Sequence, residues 1–276
     1  MNMRSTLLLL LCLMLVACRA PLPSPPPTLE LDSVPSQTLR IAYPETLGPL
    51  ATALASAYQR EVPTVQVILV ERADTLAVRA LENGAVDIAL LTWLPFELPP
   101  DAWQQPLASD GLAIVVNPQN GIPGLTLDQL RRLFQGQQDE WDEWGGLPGA
   151  PQIVSREEAA GDFAFFQAWV MGDTRVTLTA YLAPNTEAVL GVVDGDQMAV
   201  GYVSTTRLDN RVRALAIEGV PPAPEMVQAG HYPLSREIVV MTLGEPQEAA
   251  RSFTQWVLGS DGQNWVTRLG FLPVQP

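Results

Sequence analysis

The sequence predicts an α/β fold with largely parallel sheets, and three observations carry that prediction. Between residues 39 and 274, short β-branched runs alternate with stretches whose apolar residues recur at helical spacing. Helix boundaries are legible: Thr126-Leu127-Asp128-Gln129 is a capping box ahead of an apolar face, and Gly84 stands just past the end of a helical stretch. Both cysteines, Cys12 and Cys18, lie in the N-terminal segment, so the body has no disulfide and must rest on its core. A chain of 276 residues with 47% hydrophobic content is ample for one large domain or two lobes.

The elements follow in order. Residues 39–42 read as a strand, followed by the turn Tyr43-Pro44-Glu45. Leu47, Leu50, Leu54, Ala57 and Tyr58 then repeat at helical spacing. Residues 65–70 alternate and are β-branched, hence a strand, and 75–83 read as a helix. Residues 87–91 and 112–116 are buried strands. After the capping box, Leu127, Leu130, Leu133 and Phe134 make one helix face. A strand at 153–156 ends in Arg156, and Asp162 or Gly161 opens the next helix, with Phe163, Phe166 and Val170 on one side. A helix over 186–193, strands over 199–203, 214–217 and 237–241, and helices over 245–258 and 261–269 complete the chain. No internal repeat is visible.

The N-terminus reads as a targeting segment. Arg4 precedes an unbroken apolar run over residues 7–16, shorter than the roughly 20 residues a membrane-spanning helix needs. Leu15-Val16-Ala17-Cys18 fits a lipoprotein signal peptide (1–17) followed by an acylated Cys18. Residues 18–37, with Pro-Leu-Pro-Ser-Pro-Pro-Pro at their centre, read as a semi-rigid tether. A membrane-anchored, extracytoplasmic protein is therefore expected.

Net charge is −14, which argues against nucleic acid as a partner. All 16 basic residues are arginine, which excludes a lysine Schiff base. The single histidine, His231, reads as a turn residue. Asp139, Glu140, Asp142 and Glu143 read as a solvated loop, and Trp141 and Trp144 as packing residues. Neither a catalytic constellation nor a metal or cofactor motif is present in the sequence, so the expected activity is non-covalent binding.

Residues 114–172 carry the most information. A strand that delivers Arg156 to a helix N-terminus is a way to build a small-oxyanion site, with a two-pronged guanidinium beside fixed backbone donors. From here the chain resembles the phosphate-type substrate-binding proteins of ABC transporters. The resemblance rests on eight segments in family order. They are TLGPLATALASAYQ, NGAVDIALL, DGLAIVVNPQN, LTLDQLRRLFQG, SREEAAGD, AVGYVS, HYPLSREIVVMT and FTQWVLGSDGQNWVTRLGFLPV. It implies a two-lobed, type II periplasmic-binding-protein-like α/β fold with a ligand cleft between lobes 38–114 plus 236–276 and 115–235. It also implies a monomer that hands a small-molecule or oxyanion ligand to an ABC permease.

Residue by residue, the resemblance places Thr46 and Leu47 at the first anion-binding turn. Thr75 stands as the donor of the second turn, although Asp74 beside it adds a charge that opposes an anion. After the third strand Thr92 and Trp93 stand where a serine or a carboxylate is expected, and Trp93 adjoins the cleft, where it can stack on an organic ligand. The family's Ser-Gly-Thr triplet after the arginine is here Ala160-Gly161-Asp162. Asp162 can cap the helix, a gain of roughly 0.3–1 kcal/mol, or pair with Arg156. In either place it opposes an incoming oxyanion by several kcal/mol at an effective dielectric near 20, against the roughly 8 kcal/mol of a micromolar site. Phosphate is thus expected from the resemblance. The alternatives are a neutral, zwitterionic or cationic ligand on the same fold, or a sensor or interaction module that has left transport.

Overall fold

The computed structural model describes residues 37–94, 98–137 and 140–274. The expected signal peptide, Cys18, the tether up to residue 36, and Asp139 lie outside the described residues. Strand β1 (Gln37–Tyr43), helix α1 (Gly48–Glu61), β2 (Val65–Glu71), α2 (Asp74–Glu82) and β3 (Ile88–Leu91) form a βαβαβ unit. Within it β1 runs parallel to both β2 and β3. Gly84, at φ +68°, follows α2 in the left-handed conformation expected past a helix end.

The next strand, β4 (Ala102–Val116), joins the two halves of the molecule. Then come β5 (Gly124–Leu125), α3 (Leu127–Phe134), β6 (Gln152–Arg156), α4 (Gly161–Phe166), β7 (Tyr181–Ala183), α5 (Thr186–Gly195) and β8 (Ala199–Ser204). They are followed by β9 (Arg213–Ala214), β10 (Ala216–Ile217) and α6 (Pro224–Gln228). The chain returns through β11 (Ser235–Leu243) and ends in α7 (Glu248–Leu258), α8 (Ser260–Arg268) and β12 (Leu272–Pro273). The main sheet has the order β2-β1-β3-β11-β4-β8-β6-β7. Its two ends are parallel (β2-β1-β3 and β8-β6-β7), and the antiparallel strands β11 and β4 connect them.

The sequence marks only residues 112–116 as strand, whereas β4 begins at Ala102. Pro106 and the polar run Trp103-Gln104-Gln105 hide the first half. The register against β11 steps from Ile238↔Ala108 to Val239↔Pro106, so Leu107 is the extra residue of a bulge. A proline, lacking an N–H, is tolerated in a paired strand at such a place. Residues 102–111 of β4 pair with β11, and 112–116 pair with β8.

Burial divides in the same way. Two apolar clusters draw their buried residues from 39–108 and 238–271, and two from 112–234. The fold is therefore two-lobed, with β4 and β11 passing between the lobes. The capping box on α3 forms as read: Thr126 Oγ1 accepts from Gln129 N at 3.1 Å, and Gln129 Oε1 accepts from Thr126 N at 2.8 Å. Trp141 is buried, and its Nε1 donates to the Met198 carbonyl at 2.9 Å, a packing role.

Further details differ from the sequence reading. The stretch 214–217 is not one strand, because β9 pairs with β4 and β10 with β5. Helix α4 runs into a π-helical turn over Gln167–Met171, and the wider turn rotates the face. Phe165, Phe166 and Val170 are buried, while Phe163 is only partly so.

Candidate functional site

The site forms where the ends of β1, β3 and β6 meet the strands that cross between lobes. Arg156 is the last residue of β6, and its backbone N–H donates to the Tyr202 hydroxyl at 3.1 Å. That hydroxyl also pairs with Ser155 Oγ at 2.9 Å, and the Tyr202 ring stacks on Phe166 at 4.4 Å. Burial pushes the Tyr202 pKa up to about 12, so the phenol stays neutral and serves as a fixed acceptor for the Arg156 backbone.

Arg156 is 3% exposed. Its Nη1 donates to Asp162 Oδ2 and Thr186 Oγ1, both at 3.4 Å, and its Nη2 to Glu45 Oε2 at 3.1 Å and the Pro184 carbonyl at 3.4 Å. Nε is buried and has no hydrogen-bond partner among the described residues.

Asp162, in the first turn of α4, is the centre of the cluster. Its Oδ2 accepts from Thr46 Oγ1 at 3.0 Å as well as from Arg156, and its Oδ1 accepts from Arg236 Nη1 at 2.7 Å. The sequence left open whether Asp162 faces the cleft or only caps its helix. It makes no side-chain cap and is turned toward the two arginines.

Arg236 was not singled out from the sequence, yet it makes the shortest contact to Asp162. It lies opposite Asp110 in the β11–β4 register and grips that carboxylate in two-pronged fashion, Nε to Oδ1 at 2.7 Å and Nη2 to Oδ2 at 3.1 Å. Ser204 Oγ adds a donor to Asp110 Oδ2 at 2.6 Å. Burial alone would favour loss of the Arg236 proton, but the charges of Asp110 and Asp162 outweigh it and raise its pKa. A signal was present in the sequence: an arginine and an aspartate each stand at the edge of an otherwise apolar strand segment. Their pairing needs a register that spacing does not supply.

Glu45 was likewise read only as part of a turn. It reaches from the β1–α1 turn to the start of α5, where Oε2 accepts from Thr186 Oγ1 at 3.1 Å and from Thr186 N at 3.3 Å. That N–H belongs to the first turn of α5, where helical amides lack an internal partner.

The second turn reads differently from expectation. Thr75 is exposed, and Asp74, one position and about 100° earlier on the helix, turns inward. Its Oδ1 accepts from Thr92 N at 2.6 Å, Trp93 N at 3.0 Å and Thr92 Oγ1 at 3.1 Å. The place after β3, where the sequence lacks a carboxylate, thus receives one from α2. Leu47 is buried in the core, and its backbone N–H closes the local turn onto the Pro44 carbonyl at 2.8 Å. Ala160 is the residue preceding α4. Gly161 packs so closely that a Cβ there would lie 2.8 Å from Asp74 Cγ and nearer still to Asp74 Oδ2 and Thr92 Oγ1.

Trp93 meets Phe165 at 6.2 Å and Trp169 at 5.7 Å, edge to face, so its first contacts are rings of the other lobe. A groove of about 440 Å³ opens beside them, bordered by Thr92, Phe165, Trp169 and Arg236.

Burial raises the Asp74 pKa from 3.8 to about 6, against the hydrogen bonds from Thr92 and Trp93 and the charge of Arg236. The folded state therefore holds this proton more tightly than the unfolded chain. The resulting stability, about 3 kcal/mol at most, is complete below the unfolded pKa and is lost as pH rises through about 6. Urea unfolding of the wild-type chain and Asp74→Asn checks this. Wild type minus variant is expected to be more favourable at about pH 5 than at about pH 8; a gap that widens in the other direction would refute it.

Comparison with known proteins agrees with this fold. The PBP superfamily domain matches residues 32–261. The phosphate-binding protein PstS of Bacillus subtilis is 27% identical over 245 residues, covering 87% of this chain and 81% of that protein. PstS of Pseudomonas aeruginosa is 26% identical over 263 residues, covering 83% and 81% respectively. The crystal structure of an ABC-type phosphate transport receptor from Vibrio cholerae superposes with a TM-score of 0.78 at 24% identity, covering 86% of this chain and all of that one.

Proposed function

Because this chain belongs to the PBP superfamily, we propose that it is the extracytoplasmic solute-binding component of an ABC-type uptake system, with a cleft built for an oxyanion. One observation carries this reading: the Arg156 and Arg236 guanidiniums and the Thr46 hydroxyl converge on a single carboxylate at the start of α4. Two cations and a hydroxyl around one anionic group is the arrangement a bound oxyanion requires. The relatives named as phosphate-binding proteins support phosphate as the ancestral ligand. Lobes drawn at 38–114 plus 236–276 and 115–235 would close over it as a monomer, without covalent chemistry, and present it to a permease. An acyl chain on Cys18 and the proline-rich tether would hold the body at a membrane surface.

The test restores the triplet that the resemblance implies. Ala160→Ser with Asp162→Thr removes the internal carboxylate and supplies two hydroxyls. Calorimetric titration of this variant with phosphate is expected to give a dissociation constant in the micromolar range, about 8 kcal/mol, abolished by adding Arg156→Ala. Silence from the restored variant, while it remains folded, would sink the oxyanion reading. A second reading, a surface sensor or interaction module, is favoured by one observation: Glu45 and Asp162 already bridge the lobes.

A further inference from the structure

We propose that Asp162 and Glu45 form a built-in carboxylate ligand that latches the cleft shut without solute and keeps inorganic phosphate out of the unmodified chain. The proposal rests on the reading of the cleft as an oxyanion site, and it concerns which anion occupies that site.

Three features point this way. Both carboxylates take the arginine donors that an anion would need: Nη1 of Arg156 and Nη1 of Arg236 go to Asp162, and Nη2 of Arg156 goes to Glu45. The remaining two-pronged face of Arg236 is held by Asp110. The charge balance leaves nothing over, since two guanidiniums face Glu45, Asp110 and Asp162, with the buried Asp74 packed behind Gly161. An arriving phosphate would meet like charge instead of an uncompensated cation.

The bonds also cross the cleft. Thr46 and Glu45, from the β1–α1 turn, bind Asp162, Arg156 and Thr186 of the other lobe. In a solute-driven receptor the ligand supplies such bridging contacts; here the protein's own side chains do so. Across the cleft, the nearly fully buried Arg236 holds Asp162 at 2.7 Å, whereas Glu45 meets Arg156 at 3.1 Å from a partly exposed side chain. Removal of Glu45, which is 29% exposed at the side chain, is therefore the gentlest way to release the latch.

One amide reports on it directly. Thr186 N–H lies in one lobe, and its acceptor is the Glu45 carboxylate of the other. In the full chain, this amide is expected to exchange slowly with deuterium in the absence of phosphate and to be unaffected by millimolar phosphate. In Glu45→Ala it is expected to exchange at least about tenfold faster. Glu45→Gln, which keeps an acceptor but loses the charge, provides a milder variant should the alanine perturb folding, and is expected to fall between the two.

An unprotected Thr186 amide in the phosphate-free wild type would overturn the proposal, as would a wild type whose amide slows on adding phosphate. Either result would leave the oxyanion reading intact. A protected, phosphate-indifferent amide together with a restored triplet that fails to bind phosphate would leave Glu45 as a bridge between lobes but remove the oxyanion reading, and with it the claim that these carboxylates keep phosphate out.

Discussion

Replacing Arg236 with methionine is expected to destabilise the fold by roughly 3–5 kcal/mol, the range seen when one partner of a buried ion pair is removed. The size follows from what the substitution leaves behind. Asp110 and Asp162 are each 1% exposed, and Arg236 supplies two of the contacts to the first and the shortest contact to the second. Methionine fills a similar volume, so packing is largely retained and the loss is electrostatic. Among the described residues, Asp110 then keeps only the Ser204 hydroxyl, and Asp162 keeps Thr46 and the longer Arg156 contact.

Against a typical total of 5–15 kcal/mol, such a loss is severe. Equilibrium urea unfolding should show a lower midpoint at unchanged slope. Adding Asp110→Asn and Asp162→Asn to Arg236→Met should recover most of the stability, because it is the uncompensated charge, not the missing pair, that is costly. A loss below about 1 kcal/mol in the single variant would mean that water or protonation relieves the carboxylates, and the buried network would then not be holding the crossing strands together.

This network also marks the limit of what the sequence made legible. The fold was readable because its signals are local. The capping box on α3, the glycine after α2 and the strand at β6 ending in Arg156 each depend on residues a few positions apart, and each stands where expected. The family resemblance supplied the two-lobed architecture, and Thr46, Arg156, Gly161 and Asp162 do come together. What escaped was long-range or rotational. Arg236 and Asp110 are 126 positions apart and meet only through the β11–β4 register. Glu45 finds Thr186 across 141 positions. Asp74 replaces Thr75 in the interior by a rotation of one helical residue, which the helix start decides and composition does not. The early half of β4 was obscured by Pro106, which the bulge at Leu107 accommodates.

Gly161→Ala is expected to block closure while leaving each lobe folded. A Cβ at this position would overlap the Asp74 carboxylate and the Thr92 hydroxyl. These are not flexible ends that can step aside. Asp74 is 1% exposed and tied to the backbone N–H groups of Thr92 and Trp93, and Thr92 is itself fixed by the end of β3. Pushing Asp74 away would break two buried hydrogen bonds to a carboxylate, at roughly 1.5–3 kcal/mol each. Parting the lobes instead gives up Thr46 and Arg236 to Asp162, Glu45 to Arg156 and Thr186, and the Trp93 contacts with Phe165 and Trp169. Several of those groups regain water on opening, so opening is the less costly relief. The alanine variant should therefore show a larger radius of gyration by small-angle scattering, an altered tryptophan emission, and rapid exchange at Thr186. Placed in the Ser-Gly-Thr background, the same alanine should weaken phosphate binding by at least about a hundredfold, close to 3 kcal/mol. Unchanged scattering and unchanged affinity would show that Asp74 and Thr92 can yield, and that the close approach at Gly161 is incidental to closing the cleft.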